Sequence, residues 1–123
     1  MKYGEITGNT SLFIGRWQPL HSSHIKLIRS VLNEGKKICI GIRNSKINKK
    51  NPYSIEQRIA MICKEFYKEI QNSKVTWVVL PDISEVAYGR TPGWKIREIR
   101  LDKKSELISA TKIREQMKKE SKL

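Results

Sequence analysis

The only two histidines of this 123-residue chain, His21 and His24, stand three residues apart in the stretch Gly15-Arg16-Trp17-Gln18-Pro19-Leu20-His21-Ser22-Ser23-His24. At that spacing, one in a turn and one in the first turn of a helix, two imidazoles can face a single bound group. If a strand ends at Gly15 and a helix begins just after His21, the pair lies where an α/β sheet keeps its ligand crevice. The N-terminus of the helix adds free N–H groups and the positive end of a dipole, so the ligand such a place suits is a phosphate. Both rings would then give it charge-assisted hydrogen bonds. A bare His-x-x-His is more often a turn residue hydrogen-bonded to backbone followed by a helix-surface residue, and it offers zinc two ligands where four are needed. The chemistry to expect is anion binding, with no metal held by the protein.

The elements that would position this pair can be read on either side of it. Ser11–Ile14 and Ile38–Ile42 are short apolar runs that read as buried strands. Between them Ile25, Ile28 and Leu32, widened by Val31, mark a helical stripe, with Ser22 or Ser23 as N-cap and Gly35 as stop. Parallel strands need such a crossover. After a polar loop from Arg43 to Tyr53, Ser54 and Gln57 have capping-box spacing, and Ile55, Ile59, Ile62, Phe66 and Ile70 predict a second helix. Val75–Leu80 predicts a third buried parallel strand, ended by Pro81. Beyond it, Glu85–Tyr88 and Lys95–Leu101 both look extended, too close together for a helical crossover, and Lys95–Leu101 is expected to continue the sheet. A short basic helix from Ser109 to about Lys119 closes the chain. The expected architecture is α/β: one domain over residues 1–123, a parallel sheet with helices on both faces.

Composition narrows the function classes. Lys and Arg number 25 against 12 Asp and Glu, a formal charge of +13, which favours an anionic partner without naming it. No apolar run reaches the roughly 18 to 20 residues a membrane helix needs, and no secretory signal is evident, so a soluble cytoplasmic protein is expected. Cys39 and Cys63 sit in apolar stretches and read as small buried thiols.

The stretch from Gly15 to His24 resembles the G-R-F-Q-P…H-x-G-H signature of the nucleotidylyltransferase superfamily. Ile108-Ser109-Ala110-Thr111-Lys112-Ile113-Arg114 is similar to the I-S-x-T-x-I-R signature of the same superfamily. Between them, Asn51-Pro52-Tyr53-Ser54-Ile55-Glu56-Gln57-Arg58 and Leu80-Pro81-Asp82-Ile83 resemble segments of archaeal-type nicotinamide mononucleotide adenylyltransferases. The resemblance implies a reduced Rossmann-like nucleotidyltransferase fold. It implies an enzyme that joins a nucleoside triphosphate, ATP first, to a phosphorylated acceptor, nicotinamide mononucleotide first, and releases pyrophosphate. By the same resemblance His21, His24, Arg16 and Arg58 would act on the phosphates. Phe13, Ile14 and Gly15, with Ser109, Thr111 and Arg114, would bind the nucleotide, and magnesium would arrive on the triphosphate.

Two departures stand out. Ser23 occupies the glycine position of H-x-G-H, adding a Cβ and a hydroxyl where glycine lets phosphate approach the backbone. The stretch from Ile83 to Ile108 is shorter than in those adenylyltransferases, so the acceptor site is expected to draw on Arg43, Tyr88, Arg90 and Trp94, or on a second subunit of a homo-oligomer. The rival within the class is a cytidylyltransferase using CTP and a phosphorylated alcohol. Outside the class stand a basic nucleic-acid-binding module, for which no reader motif is present, and a nucleotide sensor without turnover.

Overall fold

The computed structural model describes residues 9–87, 89, 90, 93 and 95–99. Six elements follow one another: β1 (Thr10–Gly15), α1 (Ser22–Leu32), β2 (Lys37–Arg43), α2 (Ile55–Glu65), α3 (Tyr67–Gln71) and β3 (Val75–Leu80). The strands form one parallel sheet in the order β1-β2-β3, with Phe13 opposite Ile40 and Ile40 opposite Trp77. Both crossovers step the same way across the sheet, so connections of the usual right hand put their helices on the same face. Burial agrees. Ile38, Ile40, Ile42 and Val75 are buried with Ile28 and Val31 of α1 and with Ile62 and Phe66 in one core. On the other face Leu12 is 56% exposed and Ile14 and Val78 are each 38% exposed. Of the cover expected on both faces, the described residues supply this one side.

The elements differ from their sequence reading in places where tertiary context decides. The N-cap of α1 is His21 rather than Ser22 or Ser23, its ring nitrogen reaching the His24 N–H. Gly35 does follow the helix end, at φ +86°, a conformation that favours glycine. Ser54 and Gln57 form the expected capping box, Gln57 N donating to Ser54 Oγ at 3.1 Å and Ser54 N to Gln57 Oε1 at 2.8 Å. The helix it opens breaks at Phe66 (φ −108°, ψ 28°) and restarts as the short α3, so Phe66 and Ile70 belong to the core but not to one helix. Arg29 of α1 clasps this break. Its guanidinium lies 4.8 Å from the Phe66 ring centroid and donates to Glu69 Oε1, Glu65 Oε1 and the Glu65 carbonyl.

Strand β3 forms as expected but is largely exposed beyond Val75, because it is the edge of the sheet. Neither 85–87 nor 95–99 is a strand. The expected sheet extension is replaced by side-chain anchoring. Ile99 packs against the core, and Arg97 forms a two-pronged ion pair with Glu34 beyond the end of α1, at 2.8 and 2.6 Å. The basic helix expected from Ser109 lies outside the described residues. Among the described residues no helix is long and apolar enough to cross a membrane.

Candidate phosphate site at the ends of the first two strands

The histidine pair forms at the carboxyl end of β1 because the chain turns between Gly15 and His21 and enters α1 immediately. His21, in extended backbone at φ −133° and ψ 176°, caps the helix. The His24 N–H reaches His21 Nδ1 at 3.5 Å, and the His21 N–H reaches His24 Nδ1 at 3.4 Å. Two long, reciprocal contacts thus do the work that Ser and Glu do in an ordinary capping box. The rings stack, with centroids 3.6 Å apart and planes 19° apart.

A nitrogen that accepts an N–H cannot carry a proton, so this arrangement makes both rings neutral, with the remaining proton on Nε2. Electrostatics agree. Burial pushes the His21 pKa down, and burial together with the adjacent His21 pushes His24 down to about 4. The charge in any hydrogen bond these rings give an anion then comes from the anion. Near neutral pH the pair offers two uncharged Nε2–H donors, because a second positive charge at 3.6 Å and partial burial both oppose protonation.

Trp17 holds one side of the pair. It has φ +54°, unusual for a residue with a side chain, and is only 5% exposed. Its indole N–H donates to the Gly41 carbonyl of β2 at 3.1 Å, and its ring meets that of His24 edge to face at 4.8 Å and 84°. Gly15 makes room for it, since a Cβ there would lie 3.0 Å from the indole. Gln18, also buried, acts as a piece of strand, with its side-chain amide donating to the Tyr53 carbonyl at 3.0 Å and accepting from the Tyr53 N–H at 2.9 Å. These residues were hidden in the sequence as motif neighbours. The signal that could have found Gln18 is an amide beside proline in a turn that must meet a second loop.

The arginines divide. Arg16, next in the chain to the buried Trp17, is exposed. Arg58 is fully buried. Its Nη1 donates to the carbonyls of Arg16 at 2.8 Å and Arg43 at 2.6 Å, and its Nε to Ser54 at 3.2 Å. It ties the ends of β1 and β2 to the start of α2, contacts that the sequence reading did not foresee for an arginine expected at phosphate, with Nη2 left without a partner. Arg43 donates through one nitrogen to Asp82 Oδ1 at 2.9 Å and the Ile83 carbonyl at 2.7 Å, so it binds the loop after β3.

Phe13 of the nucleotide-binding set packs against the core, whereas Ile14 lies on the open face of the sheet. Ser23 is buried, so its added hydroxyl sits on the packed side of α1. Arg90 is exposed. Tyr88, Trp94, Ser109, Thr111 and Arg114 lie outside the described residues. Among the described residues no three His, Cys, Asp or Glu side chains are grouped to hold a metal ion.

This geometry has relatives. The family model described as cytidylyltransferase-like matches residues 12–78, from the third residue of β1 into β3. A nicotinamide-nucleotide adenylyltransferase of Thermococcus sibiricus is 36% identical over 76 residues, covering 59% of this chain and 41% of that protein. One from Methanococcus aeolicus is 40% identical over 60 residues, 47% of this chain and 35% of the relative. A third, from Thermoplasma acidophilum, is 28% identical across 87% of this chain and 74% of its own length. Among solved structures, a bifunctional NMN adenylyltransferase/ADP ribose pyrophosphatase from Francisella tularensis superposes with a TM-score of 0.54 at 37% identity, over 62% of this chain and 23% of that one. The chain thus spans about two fifths of the first archaeal relative. The matched segment holds the three strands, both crossovers and the histidine pair, and by it the chain belongs to the cytidylyltransferase-like family, with a Rossmann-like nucleotidyltransferase fold.

Proposed function

We propose that the chain is a nucleotidyltransferase that moves an adenylyl group from ATP to a phosphorylated acceptor, with nicotinamide mononucleotide the first candidate. The observation that carries the reading is the stacked neutral pair His21–His24 at the head of α1, two Nε2–H donors beside the end of β1. The printed names of the archaeal relatives favour adenylyl transfer. In the reaction, an acceptor phosphate oxygen attacks the α-phosphorus as the bond to the bridging oxygen of the β-phosphate breaks. That oxygen keeps the electron pair and leaves in pyrophosphate. Charge grows on the α-phosphate oxygens and the leaving group, where preorganised N–H donors and cations act most strongly. His21, His24 and the N-terminal amides of α1 would hold those oxygens, and Arg16 would supply charge from solvent. Arg58 and Gln18 would keep the crevice in shape. Magnesium would enter on the triphosphate, which suits a site furnished with donors and cations. The reaction would run in the cytoplasm.

CTP is the alternative donor, favoured by the description of the family model. The deciding experiment measures pyrophosphate release with magnesium and either ATP or CTP against a panel of phosphorylated acceptors, with His24→Ala as control. Release that requires ATP, nicotinamide mononucleotide and His24 is the expected result. Release with CTP and a phosphorylated alcohol would replace the donor and acceptor. Triphosphate binding without release from any pair would refute the transferase reading in favour of a sensor.

A further inference from the structure

We propose that Trp17 is the positioning residue for His24: anchored through its indole N–H on the Gly41 carbonyl of β2, it fixes the His24 ring in its stack with His21 and keeps that ring's free Nε2–H directed at the ligand. Four observations converge on it. The indole is buried and makes a 3.1 Å hydrogen bond to a strand two elements away, so it is located by the sheet and not by its own loop. Its backbone sits at φ +54°, a conformation that side-chain-bearing residues leave unless something holds them. It meets His24 edge to face at 4.8 Å and 84°, while His21 covers another side of the same ring at 3.6 Å. The space for the indole exists because residue 15 has no Cβ. His24 is thereby boxed between two aromatic rings and a backbone N–H. The motif this stretch resembles carries phenylalanine at this position, which has the ring but cannot donate, so the anchor on Gly41 is a property of this chain's tryptophan.

The consequence for turnover rests on the function proposed above, but the positioning itself is measurable without substrate. The chain has two histidines, so imidazole NMR signals are few and assignable by His21→Gln. In the wild-type protein, contacts between Trp17 indole protons and the His24 ring are expected in nuclear Overhauser spectra, and their absence would overturn the proposal. His24 is expected to titrate near 4, with burial and His21 as its causes. In Trp17→Leu the His24 midpoint should rise by at least one pH unit, and in Trp17→Phe by less, because a ring remains but floats. With ATP and the acceptor proposed above, Trp17→Phe should lower kcat about tenfold, roughly 1.4 kcal/mol, and change KM for the triphosphate less than twofold. A folded Trp17→Leu protein whose His24 titrates as in wild type would refute the role. If Trp17→Leu does not fold, Trp17→Phe with an unchanged His24 midpoint and unchanged kcat refutes it equally. A shifted midpoint in a protein whose wild type releases no pyrophosphate would confirm the positioning and discard the transferase reading.

Discussion

Replacing Arg58 with methionine separates a clamp from a phosphate ligand. Methionine fills much of the same volume and removes the guanidinium, which is fully buried and makes its bonds to backbone carbonyls. The three acceptors do not lose equally. The Ser54 carbonyl keeps the Arg58 N–H at 3.1 Å and the Arg43 carbonyl keeps the Ser45 N–H at 2.9 Å, whereas the Arg16 carbonyl loses the 2.8 Å bond from Arg58 Nη1. The three charge-assisted bonds are worth about 1.5–3 kcal/mol each at most, less where the acceptor keeps a second donor, and a carbonyl left orphaned costs about 1–3 kcal/mol. Against these stands relief from burying a charge with one unpaired nitrogen, which offsets a good part. The net loss expected is about 2–4 kcal/mol. For 123 residues, at about 2.1 cal/mol/K of unfolding entropy per residue, that lowers Tm by about 8–15 °C. Circular-dichroism melts of the whole chain, with triphosphate affinity measured well below the melting point, provide the assay. A Tm within 2 °C of wild type together with weakened triphosphate binding would refute the clamp and return Arg58 to the phosphates.

Other predictions follow from single contacts. His24 has its folded pKa below its unfolded value, so the unfolded chain takes up the proton first. Stability should hold above about pH 6.5, fall by on the order of 3 kcal/mol as pH drops to about 4, and lose no more from this group below that. Urea titrations from pH 7.5 to 4 read this slope, and His24→Gln should flatten it. Gly15→Ala puts a Cβ 3.0 Å from the Trp17 indole and should cost about 1–3 kcal/mol in denaturant titration, with a drop in pyrophosphate release if the proposed function holds. Ser54→Ala removes one half of the α2 capping box and should cost about 1 kcal/mol, leaving triphosphate affinity unchanged.

What the sequence revealed and what it concealed divide along range. The strand runs, the Ser54–Gln57 cap and the helical stripe of α1 depend on neighbours within four residues, and each forms where the pattern puts it. The break at Phe66 could not be read that way, and the contact made there is with Arg29 of a different helix, packed on the ring. Lys95–Leu101 misled for the same reason. Ile99 serves as an anchor in the core while Ile96 is exposed, and an alternating pattern does not distinguish an anchor from a strand. At the site, the histidines were singled out by their concentration, but their neutral state was not legible, because the reciprocal caps and the stacking are three-dimensional facts. Arg58 was singled out as a phosphate cation, and its burial and backbone contacts were not legible. Nothing in its neighbours reveals that it points inward to two strand ends.

The Gln18–Tyr53 pairing bears on how this fold can change in length. With Tyr53 joined at both its N–H and carbonyl to the turn before α1, and Arg43 joined through its carbonyl to Arg58, the excursion from Arg43 to Tyr53 has both feet fixed. Asn48 and Asn51 close a small turn within it, and Lys46, Ile47, Asn48, Lys49 and Lys50 are exposed. Residues gained or lost between Ser45 and Asn48 therefore lengthen or shorten a handle and leave the histidine pair undisturbed. A single residue inserted between Asn51 and Ser54 would instead pull Tyr53 out of register with Gln18. Natural and engineered variation in loop length has one open door here, and it is lined with lysine.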